Sequence, residues 1–187
     1  MTDASVPRLH PILEALVREL TRERDGVLAA AARVPASWRE TAPVPGRWSG
    51  AQVLGHLAKV EASSGKLFSV QARALREADA PAEASTDASA VIAAFTARHA
   101  VHTRVVPIEA PPLVQPEDGV TFNGALAALR ASRARLLEAI AKADGLPLGT
   151  VQVPHPRLGP LTLYEWLLFI ARHEARHAAQ LDELTAL

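Results

Sequence analysis

Hydrophobic residues recur every three or four positions along four long stretches of the chain. A repeat of this length places them on one side of an α-helix, so each stretch predicts an amphipathic helix. The first stretch covers about residues 8–33, with apolar positions at Leu9, Ile12, Leu13, Leu16, Leu20, Val27, Leu28 and Ala31. Arginine and glutamate occupy the opposite side, which is typical of a helix with one buried face.

The second stretch carries a clear signal for the start of a helix. Ser49 and Gln52 have the spacing of a capping box, and Trp48 can pack on Val53 as a hydrophobic staple. The helix is predicted to end near Ala78. One face collects Val53, His56, Leu57, Val60, Ser64 and Leu67. This face predicts that His56 points into the core.

A long connection separates the second predicted helix from the third. Residues 81–90 are small and polar, and a shorter helix is predicted from Val91 to about Thr103. The prolines that follow, Pro107, Pro111, Pro112 and Pro116, predict an irregular crossover. The third long helix begins near Asn123 and ends before Gly145.

The fourth stretch, from Leu161 to Leu187, contains the two most informative histidines. We predict a short extended piece over 148–153, a rigid loop over 155–160, and a helix capped by Thr162 with Glu165. One helical face collects Trp166, Phe169, Ile170, His173, His177, Gln180, Leu181 and Leu184. The pattern predicts an all-α fold: one domain over 1–187 that forms a four-helix bundle, with the long crossover between the second and third helices.

Composition and charge exclude several classes of function. Lys+Arg 20 equals Asp+Glu 20, which leaves no basic surface typical of binding to nucleic acid or to an anionic membrane. The longest apolar run, Trp166 to Ala171, is too short to span a bilayer, and the N-terminus lacks the pattern of a signal peptide. We therefore expect a cytoplasmic protein that acts on a small molecule. With Cys 0, histidine or carboxylate must hold any metal ion.

Three histidines are predicted to face the same bundle interior. His173 and His177 are four residues apart, so their side chains are neighbours on one helix face. A buried imidazole without a hydrogen-bond partner costs about 1–3 kcal/mol. His56, His173 and His177 are therefore interpreted as the ligands of one divalent ion, with zinc favoured and nickel or iron compatible. Such an ion keeps an open position, where it could generate hydroxide from water or a thiolate from a small thiol; the residues leave both uses open.

The letters from His173 to His177 also match H-E-x-x-H, the helix motif of metalloproteases. That motif takes its third ligand from further along the chain, where this sequence has no histidine. Glu174 lies at a flanking position and is a weak catalytic candidate; it is otherwise a ligand-supporting residue or a solvated surface charge. Arg176 flanks the other side, where it could hold an anionic group or form a surface salt bridge.

Other polar residues near this face carry weaker signals. Gln180 can hydrogen-bond an imidazole or a bound water, and Glu61 is a weaker acid–base candidate. His155 either lines the mouth of the site or is a loop residue without a role. His99 and His102 are interpreted as surface histidines.

Two blocks of sequence resemble the DinB-like superfamily of bacterial four-helix bundles, in particular its YfiT-like branch. They are RWSGAQVLGHLAKVE around His56 and HPRLGPLTLYEWLLFIARHEARHAAQL around His173 and His177. The resemblance covers nearly the whole chain. It implies a metal triad at these three histidines, with zinc or nickel as the ion, and frequent homodimers.

The same resemblance implies two kinds of activity. Members of the superfamily include S-transferases and isomerases that use low-molecular-weight thiols, and metal-dependent hydrolases. Our expectation is a thiol S-transferase acting on small electrophiles, with a thiol as co-substrate. The alternatives are a metal-dependent hydrolase of amides or esters, or a metal-binding stress-response module without catalysis.

Overall fold

The computed structural model describes residues 9–104 and 109–186 and is built mainly from helices. The helices are α1 (Pro11–Arg33), α2 (Ala36–Arg39), α3 (Gly50–Glu77), α4 (Ala88–Arg98), α5 (Phe122–Lys142) and α6 (Leu163–Glu183). Two short antiparallel strands, β1 (Gln152–His155) and β2 (Gly159–Thr162), form a hairpin before α6. Single 3₁₀ turns cover Pro112–Val114, Leu148–Thr150 and Leu184–Ala186.

The predicted helix starts agree with the structure. The Ser49 hydroxyl accepts the backbone N–H of Gln52, whose side chain accepts from the Ser49 backbone, and this capping box fixes the start of α3. Thr162 and Glu165 do the same for α6. The histidine-bearing helices are therefore positioned by local sequence.

The connections differ from the predictions in three places. Residues 155–160, predicted as a rigid loop, instead form the end of β1, a turn at 156–158 and the start of β2, where Gly159 takes a positive φ of 78°. Helix α4 ends at Arg98 rather than near Thr103, and α6 gives way to a 3₁₀ turn after Glu183. The predicted positions at Arg8, Pro107 and Leu187 lie outside the described residues.

The bundle pairs its long helices as α1 with α6 and α3 with α5. The buried apolar side chains form two clusters. Helices α1 and α6 enter the first cluster and continue into the second, whereas α3 and α5 run from the second to the first. Helices α3 and α5 therefore run in the same direction, which is why the chain needs the long crossover between them.

A layer of buried polar residues separates the two apolar clusters along the helices. We call it the polar layer; its members are Arg24, Glu61, Ser132, Arg133 and Glu174. Each of the four long helices contributes at least one member, near the position where it passes from one apolar cluster to the other. In the described ranges, no helix is long and apolar enough to cross a bilayer.

Candidate metal centre

Three imidazole rings converge beside the polar layer, one from α3 and two from α6. We call them the histidine cluster. The Nε2 atom of His173 lies 3.3 Å from Nε2 of His56 and 3.1 Å from Nε2 of His177. The three ligand atoms all lie within 4.8 Å of one another. The structure thus brings together the three histidines that the sequence singled out.

Two hydrogen bonds determine which nitrogen of the outer rings faces the centre. Nδ1 of His56 lies 2.7 Å from the carbonyl oxygen of Val114 and must donate, because a carbonyl only accepts. Nδ1 of His177 lies 2.6 Å from Oε1 of Gln180, so it donates as well. A neutral ring that donates from Nδ1 carries its lone pair on Nε2. Both rings therefore turn a lone pair towards His173.

The surroundings of the cluster are aromatic; the two outer rings are buried and His173 is half-buried. The Trp48 ring stacks at 6.3 Å from His177 and lies 5.0 Å from His56, while Phe169 lies 5.4 Å from His173. His56 and His177 are 4% and 6% exposed. Burial lowers the pKa of all three rings, to about 3 for His177 and well below the usual range for His173. All three imidazoles are consequently neutral near pH 7.

Two of the three separations in the histidine cluster suit a divalent transition metal. Imidazole nitrogens at about 2.0–2.1 Å from a tetrahedral ion lie about 3.3–3.4 Å from each other, close to these two separations. Converging lone pairs repel one another unless a proton or a cation lies between them. No fourth histidine or carboxylate joins the group within 9–104 and 109–186. The residues present therefore fit a three-histidine metal centre with a position left for a non-protein ligand.

Glu174 lies in the polar layer, not on the solvated surface. It is 1% exposed, accepts from Nε and Nη2 of Arg24 through one carboxylate oxygen, and lies 3.1 Å from Nη2 of Arg133 through each carboxylate oxygen. The interpretation of Glu174 as a surface charge was wrong. Two arginines engage its carboxylate, which argues against a role as a general base.

Glu61 belongs to the same polar layer and is 1% exposed. Its carboxylate accepts hydrogen bonds from Arg24 at 2.9 Å, from Arg133 at 2.6 Å and from the Ser132 hydroxyl. The two arginines also donate to backbone carbonyls of Leu129 and Leu20. Two positive and two negative charges thus compensate each other in the core, and no acid is left over for catalysis.

The remaining candidates divide between the site and its edge. Gln180 bonds His177 as predicted. Arg176 is buried rather than surface-exposed. Its charge and that of Arg104 help to lower the pKa of His177, although burial and then His56 have the larger effects. His99 is half-buried against Phe95, so the interpretation of it as a surface histidine was wrong.

Two buried arginines around the site also have a recognisable position in the sequence. Arg24 follows Leu20 by four positions and precedes Val27 by three, so it lies within the apolar stripe of α1. Arg133 occupies the same kind of position in α5. A charge inside an apolar stripe predicts a buried partner on another helix. The contact between Val114 and His56 had no such signal, because it depends on where the crossover lies.

The comparisons with known proteins agree with the fold. The family model described as the DinB superfamily matches residues 19–181. A solved structure described as the crystal structure of TT2238, a four-helix bundle protein, is similar with a TM-score of 0.59 and 24% identity. That likeness covers 91% of this chain and 98% of the other and concerns the fold alone. A search of curated proteins found no match. The YfiT-like branch stays a prediction, whereas the match over most of the sequence shows that the chain belongs to the DinB superfamily.

Proposed function

We propose that the protein is a metal-dependent enzyme that joins a small thiol to an electrophile. The observation that carries this proposal is the convergence of three Nε2 atoms beside aromatic rings, with two lone pairs directed inwards by Val114 and Gln180. A divalent ion held by three neutral imidazoles keeps its full charge and lowers the pKa of a thiol or water bound beside them.

The residues around the cluster favour such an ion in two ways. Neutral histidines need release no proton to bind a metal near pH 7, because their pKa values are already lowered by burial. Trp48 and Phe169 lie against the histidine rings and offer an apolar surface for the carbon chain of a thiol or an electrophile. Zinc or nickel is the expected ion, since imidazole suits both.

Hydrolysis of amides or esters is the alternative reaction at the same centre. In H-E-x-x-H enzymes the glutamate serves as the base, but here Glu174 is engaged by Arg24 and Arg133. Thiol transfer needs no comparable carboxylate, since a thiol loses its proton far more readily than water does. The engagement of Glu174 therefore supports transfer over hydrolysis.

A metal that serves only the fold is the third reading, and it implies a closed site with four protein ligands. The histidine cluster supplies three among the described residues, which favours an open centre. The homodimer implied by the resemblance stays a prediction.

The test uses metal-stripped protein reloaded with zinc or nickel, mixed with cysteine-based thiols and chlorodinitrobenzene. We expect a rate of thioether formation that requires the metal and is lost in His56→Ala but kept in His102→Ala, a change at an exposed histidine. No metal-dependent rate with any thiol would contradict the proposal. Turnover of nitrophenyl esters without thiol would instead support the hydrolase.

A further inference from the structure

His155, at the end of strand β1, is separated from the histidine cluster by one aromatic ring. Its ring centroid is 4.4 Å from that of Phe169, and Phe169 is in turn 5.4 Å from His173. The Arg157 guanidinium donates to the carbonyl of Glu109 at 3.0 Å and so ties the hairpin to the crossover. That crossover also supplies the Val114 carbonyl to His56. The hairpin and the crossover therefore border the same end of the metal centre.

Two backbone hydrogen bonds fix the proton of His155 on its far nitrogen. Nδ1 accepts the N–H groups of Arg157 and Leu158, each at 3.2 Å. A neutral imidazole whose Nδ1 accepts carries its proton on Nε2. Nε2 has no hydrogen-bond partner within the described part of the chain. Burial, followed by the effects of His99 and Arg157, lowers the pKa of His155 to about 4, which keeps the ring neutral near pH 7.

The packing of His155 positions this donor as well as orienting it. Its ring is held against Trp166 at 5.1 Å and against Phe169, both on the first turns of α6. The rotation of the ring is thus limited on one side by aromatic rings and on the other by the hairpin turn. A donor that is already oriented binds an acceptor at a lower entropic cost than a mobile one.

We propose that the Nε2–H group of His155 is a specificity-determining donor for substrates that carry a carboxylate or carbonyl group beyond an apolar spacer. The spacer lies along Phe169, between the metal-binding atom of the substrate at the histidine cluster and its acceptor group at His155. This inference rests on the proposed function, because it takes the cluster to bind a metal and a thiol. It adds a substrate class: small thiols or electrophiles with an acidic or carbonyl end.

The experiment compares two thiols on cobalt-loaded protein, followed by the sulfur-to-cobalt absorption band. Thiophenol has only the thiol and the ring, whereas meta-mercaptobenzoate adds a carboxylate that cannot reach the same ion. We expect meta-mercaptobenzoate to bind about tenfold more tightly in the wild type, the effect of one good hydrogen bond. The change His155→Phe keeps a ring against Phe169 but removes the donor. Because an asparagine side chain can accept from the N–H groups two and three residues on, His155→Asn preserves the turn but does not reach the site.

Cobalt content should be equal in the wild type and both variants, and the preference for meta-mercaptobenzoate should fall to about onefold in each. If the wild type binds the two thiols equally tightly, or if both variants keep the tenfold preference for meta-mercaptobenzoate, the proposed role of His155 is wrong. The sulfur-to-cobalt band would in that case still support the proposed function. A wild type that binds cobalt but gives no band with either thiol would reject the proposed thiol chemistry and, with it, this inference.

Discussion

Two groups of buried polar side chains lie next to each other on α6, and they differ in one respect. In the polar layer every charge has an opposite charge within hydrogen-bond distance: Arg24 and Arg133 bind both Glu61 and Glu174. In the histidine cluster three neutral rings direct nitrogen atoms at each other, and no carboxylate joins them among the described residues. His173 and Glu174 are consecutive residues that belong to different groups.

The difference separates a structural arrangement from a functional one. Buried polar groups are normally satisfied by protein partners, and the polar layer meets that expectation completely. Outside the cluster, protein partners bind the outward Nδ1 atoms of His56 and His177, and the inward Nε2 atoms are left facing one another, where the proposed metal ion would bind. A buried network in which every charge has an opposite charge therefore indicates a structural role. Converging polar groups that lack such partners indicate a ligand-binding site.

The largest effect on stability is expected when one charge of the polar layer loses its opposite charge. Glu174→Ala leaves two buried arginines sharing Glu61, so the free energy of unfolding should fall by about 3–5 kcal/mol. Urea denaturation measures it. Glu138→Ala, which removes an exposed partner of Lys142, should change stability by less than about 0.5 kcal/mol. A loss below about 1 kcal/mol for Glu174→Ala would show that the layer is not a compensated unit.

The histidine cluster should respond to metal rather than to the loss of a charge partner. Zinc at about one hundred times its dissociation constant should raise the free energy of unfolding of the wild type by about 2.7 kcal/mol. His173→Ala should remove most of this gain, whereas His102→Ala, at an exposed position, should keep it. Equal stabilisation of both variants would place zinc elsewhere. Thermal denaturation with and without zinc gives the comparison.

Acid should destabilise the metal-free protein through the same cluster. The pKa of His177 is about 3 in the folded protein, lowered by burial and then by His56, against about 6.5 unfolded. Its contribution to stability is therefore complete above about pH 6.5 and is lost as the pH falls towards the folded value. Between about pH 7 and pH 5 the loss should be about 2 kcal/mol for this residue. His177→Gln should show a correspondingly shallower pH dependence in urea denaturation; an identical dependence would mean that the folded cluster accepts protons freely.

The smallest effect is expected for the hydroxyl of the polar layer. Ser132→Ala removes one hydrogen bond to Glu61, which still accepts from Arg24 and Arg133. The free energy of unfolding should fall by about 1 kcal/mol. A loss as large as that of Glu174→Ala would mean that the hydroxyl, and not the charge balance, holds the layer together.

The sequence predicted whatever depends on local periodicity. Capping boxes at Ser49 and Thr162 fixed the helix starts, and the apolar stripes fixed which way His56, His173 and His177 face. This is why the cluster was predictable before its geometry was known.

What the sequence did not predict depends on contacts between distant segments. The burial of Glu174 requires arginines from α1 and α5, and a single helix cannot show that its flank is covered on all sides. The hairpin was missed because Pro154 and Pro160 mask a strand pattern only four residues long. The acceptor for His56 comes from the crossover, a segment without periodicity.

The most direct test of the account is titration of metal-stripped protein with zinc, followed by elemental analysis and X-ray absorption. We predict about one ion per chain, bound by three imidazole nitrogens at about 2.0–2.1 Å with a further ligand that is not protein. His56→Ala, His173→Ala and His177→Ala should each abolish this binding, and Arg176→Ala should retain it. Unchanged metal content in the three histidine variants would contradict the account.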